Sequence, residues 1–156
     1  MSRYLRFTGE YGLYTTLEET VQSHLQNMAS LGVDVSLNMQ ISDFTDLREI
    51  DQVVDPDDAT DYIAFIEKMI VHYKRIHGDR FRVFALDSLG ALYSLMPERT
   101  EMRKKMFYFF KVLRENNLIS LIVMERSPGG EAMLLGNEGF LVDGIISDAL
   151  DIAGEV

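Results

Sequence analysis

Short apolar runs alternate along the chain with longer segments in which apolar residues recur every three or four positions. Two of the runs, Val83–Leu86 and Leu121–Met124, are continuously apolar, which is typical of strands covered on both faces in a parallel sheet. The sequence therefore predicts four strands, at Gly12–Thr16, Arg82–Leu86, Ile119–Met124 and Phe140–Ile146.

Three helical patterns lie between these strands. The first follows Thr20, a suitable N-cap, and ends before Gly32. Strands that alternate with helices of this length predict an α/β fold with a parallel sheet. The predicted inner faces are Val21, Leu25, Met28 and Ala29 in the first helix; Ala59, Tyr62, Ile63, Ile66, Met69, Ile70 and Tyr73 in the second, capped by Asp57 or Asp58; and Met102, Met106, Phe109, Phe110 and Leu113 in the third.

Composition narrows the class of protein. The length of 156 residues and the 47 % hydrophobic content suit one globular domain. Fifteen Lys and Arg against 25 Asp and Glu give a net charge of −10, which argues against nucleic acid as the main partner. The absence of Cys excludes disulfides and thiolate metal sites. No apolar run approaches the ~20 residues of a membrane span, and the start lacks a signal-peptide pattern, so we expect a cytoplasmic domain.

The stretch Asp43–Asp61 holds eight acidic residues and one base, Arg48. One interpretation is a solvated acidic loop that leads into the second helix. The other is a site for a cation or a basic partner, but the stretch lacks the alternate-position ligands and the Gly turn of calcium loops.

The strongest candidates for catalytic or metal-binding residues lie where predicted strands end. Asp87 and Ser88 follow Val83–Leu86, which places a carboxylate where open α/β sheets bind ligands. A carboxylate there can hold Mg²⁺ through its water shell. The alternative is that Asp87 only caps the turn after the strand.

Glu18 and Glu19 lie between a predicted strand and the helix that follows it. One such carboxylate can orient or deprotonate an attacking water. Alternatively, both acids only favour the positive end of the helix dipole. Glu125 and Arg126 follow a third strand, so three acidic strand ends are expected to converge on one edge of the sheet.

These segments resemble KaiC-like ATPases of the RecA superfamily. The segment from Glu10 to Thr20, followed by Asn27 and by Ser30–Asp34, looks like the region just after the family's phosphate loop, and the string Val83–Ser88 resembles the Walker B strand. Two later segments, Leu121–Arg126 and Glu138–Ile145, resemble the next two strands. The similarity covers nearly all of residues 5–150 in the same order.

The resemblance implies a RecA-like parallel β-sheet flanked by helices, in a truncated three-layer sandwich, with residues 1–156 as a single partial domain. It also implies ATP and Mg²⁺ as cofactors, bound between subunits of a ring of identical or paralogous ATPase chains. By the same resemblance, Asp87 and Ser88 are on the Mg²⁺ side of the site, and Glu18 and Glu19 are the water-activating pair. Glu125 and Arg126 would act as sensors or subunit contacts, although Arg126 can equally be a surface charge that neutralises Glu125.

The sequence also departs from the family pattern. A phosphate loop needs Gly-x-x-x-x-Gly-Lys-Ser/Thr, but none of the five lysines follows a Gly or precedes a Ser or Thr. The later strands, which carry basic residues to a neighbour's nucleotide, are also missing. Three hypotheses remain open: part of a split enzyme, a non-catalytic module that joins intact paralogues, or a nucleotide-sensing remnant.

Two further expectations concern surfaces rather than chemistry. Without the phosphate-loop strand, Ile119–Met124 and Phe140–Ile146 are expected to have unpaired backbone edges, which favours a partner chain over direct pairing of the two. The Met102–Phe110 cluster is interpreted as core packing, with a subunit-facing apolar patch as the alternative.

His24, His72 and His77 lie on helices or a turn, and the spacing of His72 and His77 does not suit a metal site.

Overall fold

A parallel four-stranded sheet in the order β2-β1-β3-β4 organises the fold. The computed structural model describes residues 1–43, 62–95, 99–124 and 141–146. Its elements are α1 Ser2–Thr8, β1 Tyr11–Thr16, α2 Val21–Ser30, β2 Met39–Ser42, α3 Tyr62–His77, a 3₁₀ turn Gly78–Arg80, β3 Phe81–Asp87, α4 Leu89–Ser94, α5 Arg99–Glu115 and β4 Ile119–Ile122.

The register of the sheet brings the carboxyl ends of the strands together. Thr15 of β1 is paired with Ser42 of β2, and Thr16 of β1 is paired with Asp87 of β3. Since every pair is parallel, the segments after β1, β2 and β3 leave the sheet at the same edge. The α/β fold with a parallel sheet is therefore confirmed.

Helices cover the sheet on two sides. The larger core lies under α3, α4 and α5 and includes Leu13 of β1 and Phe84 of β3, both fully buried. On the opposite face Leu5 of α1 packs with Met39, Ile41 and Val83. A Cβ on Gly12 would lie 2.9 Å from Leu5 Cδ1 and 3.2 Å from the Val83 carbonyl, so only glycine lets α1 approach β1 this closely.

Helix α5 carries the predicted apolar stripe into the core. Met102, Met106, Phe109, Phe110 and Leu113 are all buried, and the ring of Phe109 meets that of Phe84 edge to face at 6.1 Å. Within the Met102–Phe110 cluster, however, Phe107 and Tyr108 are 58 % and 52 % exposed. The interpretation as core packing is correct for the stripe and wrong for these two aromatic side chains.

The predicted inner face of α2 was wrong in part. Val21 and Met28 face inward, but Leu25 is 40 % exposed and Ala29 is also exposed. The buried residue of α2 is His24. A buried imidazole is stable only with a polar partner, and the candidate site supplies one.

The strand expectation for Phe140–Ile146 is not met where the structure describes it. Residues 141–146 form a turn and irregular backbone, and Ile145 and Ile146 are 63 % and 99 % exposed. A parallel strand needs a neighbour to complete its hydrogen bonds, and β4 does not pair with this segment. Instead, Leu141 and Val142 pack against the larger core, and the Leu141 carbonyl accepts a hydrogen bond from Arg114.

Strand β4 is also less covered than its continuously apolar sequence predicted. Ile119, Leu121 and Val123 are each between 45 % and 47 % exposed. The core formed with α1 and α2 includes residues of β1, β2 and β3 but none of β4. The described helices therefore cover β4 on one face only.

Three short elements were not predicted as such. Strand β2 has four residues, and α4 has six that begin after the N-cap Ser88. Helix α1 runs over Ser2–Thr8, before the first predicted strand. Of the acidic stretch Asp43–Asp61, only Asp43 lies inside the described residues. The predicted caps Asp57 and Asp58, and Ala59 of the predicted helix face, lie outside them.

A search of the described residues finds no helix long and apolar enough to cross a membrane.

Helix α5 offers a matched test of this core. Replacing the fully buried Phe109 with Ala should lower the free energy of unfolding by about 3–5 kcal/mol, because it removes a large buried ring and leaves a cavity. Phe107→Ala, on the exposed side of the same helix, should change it by less than about 0.5 kcal/mol. Urea denaturation measures both, and equal losses would contradict the assigned faces.

Candidate functional site

The candidate site lies where β1 and β3 end. Thr16 is paired with Asp87, and the backbone N–H of Leu17 donates to the Asp87 carbonyl at 2.7 Å. This bond extends the pairing by one residue, so Glu18 and Glu19 leave the sheet beside Asp87 and Ser88. The structure thus places the predicted carboxylates at one edge, as parallel strands require.

A hydroxyl organises the turn that carries the two glutamates. Thr16 is fully buried, and its Oγ1 accepts hydrogen bonds from the backbone N–H groups of Glu18 and Glu19 at 3.4 and 3.2 Å. Helix α2 begins directly afterwards, with Thr20 accepting from the Ser23 N–H at 3.2 Å, as predicted. The buried Asp43 after β2 accepts from the Val21 N–H at 2.6 Å and satisfies a second free donor of this helix end.

Ser88 connects the turn after β3 to the turn after β1. Its hydroxyl accepts the Ala91 N–H at 3.2 Å, which caps α4, and donates to Glu18 Oε1. Ser88 is fully buried, while Glu18 is exposed apart from this contact. The Asp87–Ser88 peptide bond is cis. The turn is closed from the β4 side by the Leu89 N–H, which donates to the Val123 carbonyl at 2.8 Å.

Asp87 has a dedicated hydrogen-bond donor in Tyr14. The Tyr14 hydroxyl donates to Asp87 Oδ2 at 2.6 Å, across the two central strands. Burial of the phenol, this bond, and the negative charges of Asp87, Glu19 and Glu18 raise the pKa of Tyr14 above its ordinary value of 10. Tyr14 therefore stays protonated and acts as a permanent donor. Among the described residues nothing donates to the other oxygen, Oδ1.

Glu19 is held by three donors on α2. Its Oε1 lies 2.6 Å from His24 Nδ1, and its Oε2 accepts from Ser23 Oγ at 3.0 Å and from Asn27 Nδ2 at 2.9 Å. The hydrogen bond with His24, followed by the other two, lowers the pKa of Glu19 against the opposing effect of partial burial. Glu19 is therefore a carboxylate whose acceptor positions are already occupied, in contrast to Glu18.

The donor chemistry of this edge fits Mg²⁺ held in one particular way. In the described parts of the chain no three His, Asp or Glu side chains are grouped as a metal cage. Mg²⁺ does not require such a cage, because it commonly binds one or two carboxylates together with water and substrate phosphates. The free Oδ1 of Asp87 and the hydroxyl of Ser88 supply hard oxygen ligands of this kind, so the residues present fit the ion.

Sequence reasoning found part of this arrangement. Glu18, Glu19, Asp87 and Ser88 meet at one edge, while Glu125 and Arg126 lie outside the described residues. Tyr14, His24 and Asp43 were missed as members of the site. Asp43 had no local signal, because its contact with the Val21 N–H spans 22 positions and the strand before it was not predicted. Tyr14 and His24 had none, because their contacts depend on the folded sheet.

Comparison with known proteins identifies the family. Residues 3–155 match the family model described as "ATPase: KaiC". The chain belongs to the KaiC ATPase family. Membership agrees with the parallel sheet flanked by helices, the RecA-like α/β arrangement that the sequence resemblance implied.

Two relatives show how far the similarity extends. The circadian clock protein KaiC3 of Synechocystis is 28 % identical over 148 residues, which cover 88 % of this chain and 28 % of that protein. The crystal structure of a KaiC-like protein from the hyperthermophilic archaeon Pyrococcus horikoshii superposes with a TM-score of 0.65 at 18 % identity. That match covers 90 % of this chain and 57 % of the archaeal one. The chain therefore spans about a quarter of the curated relative and just over half of the solved structure.

The hydrogen bonds to Glu19 predict a dependence of stability on pH. Because the pKa of Glu19 is lowered from 4.5 in the folded protein, its contribution is complete above that value and is lost as the pH falls through the lower folded value. Glu19→Gln should therefore cost about 1 kcal/mol of unfolding free energy at neutral pH and progressively less below pH 4.5. Urea denaturation across this range measures the difference.

Glu115→Gln is the charge-matched control, because Glu115 forms only an exposed pair with Lys111 on α5. Its effect should be small at every pH. A Glu19→Gln penalty that stays constant or grows toward acid pH would contradict the assigned contacts.

Proposed function

We propose that this chain contributes the metal-binding and water-activating part of an ATP-hydrolysing site in a ring assembly. The observation that carries the proposal is the meeting of Glu18 with Asp87 and Ser88 at the shared end of β1 and β3. Membership of the KaiC ATPase family supports ATP as the nucleotide. The signal-transduction setting and the ring are proposals drawn from the resemblance.

The two glutamates have different roles in this proposal. Both oxygens of Glu19 are engaged by Ser23, His24 and Asn27, so Glu19 supports the turn. Glu18 is exposed and, among the described residues, its carboxylate accepts a hydrogen bond only from the Ser88 hydroxyl, so it is the carboxylate that orients the attacking water and accepts its proton. Mg²⁺ bound beside Asp87 would neutralise charge that develops on the phosphate oxygens. Glu125 and Arg126 are proposed as sensor or subunit-contact residues.

These 156 residues contain no phosphate-loop motif. None of their five lysines stands in a phosphate-loop motif. Within the described residues no Lys or Arg pairs with Glu18, Glu19 or Asp87. We propose that another polypeptide segment supplies the backbone amides and the cation that hold the triphosphate.

The chain by itself should consequently bind ATP–Mg²⁺ weakly and hydrolyse it negligibly. Loss of even one positioned donor commonly costs about 10²–10³ in rate, and a missing phosphate loop removes several donors together. The remaining weak binding should depend on Mg²⁺ and be lost in Asp87→Asn. Titration with a fluorescent ATP analogue, with and without Mg²⁺, measures it.

Asp34→Asn is the matched control for this titration. Asp34 carries the same charge but forms only a long, exposed pair with Arg6. Binding that ignores Mg²⁺, or that is equal in Asp87→Asn and Asp34→Asn, would contradict the proposal. Robust turnover by the chain alone that disappears in Asp87→Asn would instead reveal a phosphate cradle within these residues.

A second candidate function is a non-catalytic module that associates with intact paralogues. The observation that favours it is β4, which is at the end of the described sheet and exposes Ile119 and Leu121, followed by the exposed Val123. An apolar strand with an open edge is a site at which another chain can add a strand. The two functions are compatible, since a partner strand at β4 can also carry the missing loop.

The exposed apolar strand at the end of the described sheet predicts that the isolated chain self-associates or exposes apolar surface. Light scattering after size-exclusion chromatography and binding of an apolar dye should both detect this. Leu121→Lys should reduce self-association and dye binding, because a charge on an edge strand opposes pairing. Val71→Lys, a control at an equally exposed apolar site on α3, should have little effect. A monomer with one cooperative thermal transition and no dye binding would overturn the partner requirement.

A further inference from the structure

Tyr14 connects two carboxylates of the candidate site, Asp87 directly and Glu19 through His24. It lies on β1, and its hydroxyl donates to Asp87 Oδ2 on β3 at 2.6 Å. The face of its ring stacks on the imidazole of His24 on α2, with centroids 4.4 Å apart and an interplanar angle of 30°. One side chain thus touches both the central strand of the site and the helix that follows β1.

His24 continues this contact to Glu19. The residue is only 7 % exposed, and its Nδ1 lies 2.6 Å from Glu19 Oε1. Its Nε2 is buried and has no hydrogen-bond partner among the described residues. In the described residues, the imidazole has one hydrogen-bond partner, the Glu19 carboxylate at its edge, and one stacking partner, the Tyr14 ring on its face.

We propose that Tyr14 and His24 are a stacked pair of positioning residues that hold Asp87 and Glu19 in fixed orientations at the shared end of β1 and β3. The purpose of these orientations rests on the proposed ATPase function. The pair is not catalytic, since each member acts through the carboxylate that it holds.

The cost of burying these groups supports a positioning role over simple packing. Two apolar side chains would fill the space between β1 and α2 without removing an imidazole and a phenol from water. The charged and titratable groups that face the pair are the carboxylates of Glu18, Glu19 and Asp87. A neutral phenol and an imidazole donor satisfy two of these without adding a competing Lys or Arg to the site.

The stack makes three variants distinguishable. Tyr14→Phe removes only the hydroxyl and keeps the ring on His24. His24→Phe keeps the stack and removes only the bond to Glu19. Tyr14→Leu removes both the hydroxyl and the ring. If the pair holds both carboxylates, Tyr14→Phe should change the orientation of Asp87 and His24→Phe should change the hydrogen bonding of Glu19. Tyr14→Leu should change both.

NMR spectroscopy of the nucleotide-free chain measures both ends. Three-bond couplings report whether Asp87 occupies one side-chain rotamer, and the carboxyl carbon of Glu19 reports its titration. We expect rotamer averaging of Asp87 in Tyr14→Phe, a rise in the pKa of Glu19 in His24→Phe, and both changes in Tyr14→Leu. Tyr11→Phe is the matched control, because Tyr11 stacks on His77 at 3.8 Å at the opposite end of β1. It should change neither signal.

Binding of the fluorescent ATP analogue supplies the functional measurement. Tyr14→Phe should weaken Mg²⁺-dependent binding about ten- to a hundredfold, the effect of one hydrogen bond to a charged carboxylate, and leave Mg²⁺-independent binding unchanged. A single Asp87 rotamer in Tyr14→Phe, or an unchanged Glu19 titration in both His24→Phe and Tyr14→Leu, would overturn the inference. If the NMR changes occur while Asp87→Asn leaves ATP binding intact, the proposed function fails and the positioning pair stands.

Discussion

The parallel pairing of β1 with β3 is the constraint on which the site depends. It aligns Thr16 with Asp87 and lets the Leu17 N–H reach the Asp87 carbonyl. Two turns separated by about 70 residues in sequence are thereby fixed side by side. Ordering both turns costs backbone conformational entropy. The Thr16 and Ser88 hydroxyls then use the free N–H groups of those turns to fix their shape.

Each acidic group at this edge has its own hydrogen-bond donor. Asp87 is held by Tyr14, Glu18 by Ser88, Glu19 by Ser23, His24 and Asn27, and Asp43 by the start of α2. In a chain of net charge −10, Glu18, Glu19 and Asp87 thus share a small region with no Lys or Arg of the described residues paired to them. Hydrogen bonds to the charged form favour ionisation, which the lowered pKa of Glu19 illustrates.

The elements predicted correctly are those whose pattern is local and long. The stripes on α3 and α5 follow from the three- to four-residue periodicity, and β3 follows from its continuously apolar run. Strand β2 and helix α4 are too short to show a period, and the 140–146 run has a strand-like sequence without a neighbour to pair with. In α2 the buried residue is His24 and not the expected Leu25, because Glu19 hydrogen-bonds the imidazole Nδ1 and the Tyr14 ring stacks on the imidazole. Sequence placed four site residues at one edge, yet the Tyr14–Asp87 bond spans 73 positions and no local pattern encodes it.

The positions of the lysines and arginines in the described residues bear on the proposed function. The described lysines lie on α3 and α5, helices that pack against the larger core, and none pairs with Glu18, Glu19 or Asp87. A triphosphate brought to this edge would meet the carboxylates of Glu18, Glu19 and Asp87 with no lysine or arginine of the described residues to offset them. Mg²⁺ offsets part of that repulsion, but the positioning of the phosphates requires amides and a cation in addition. A strand added beside β4, the last strand of the described sheet, would deliver them next to the turn that carries Ser88, which the Leu89–Val123 hydrogen bond joins to the end of β4. In our proposal, the exposed apolar strand and the missing phosphate cradle therefore have a single explanation, a segment that completes the sheet and the nucleotide site together.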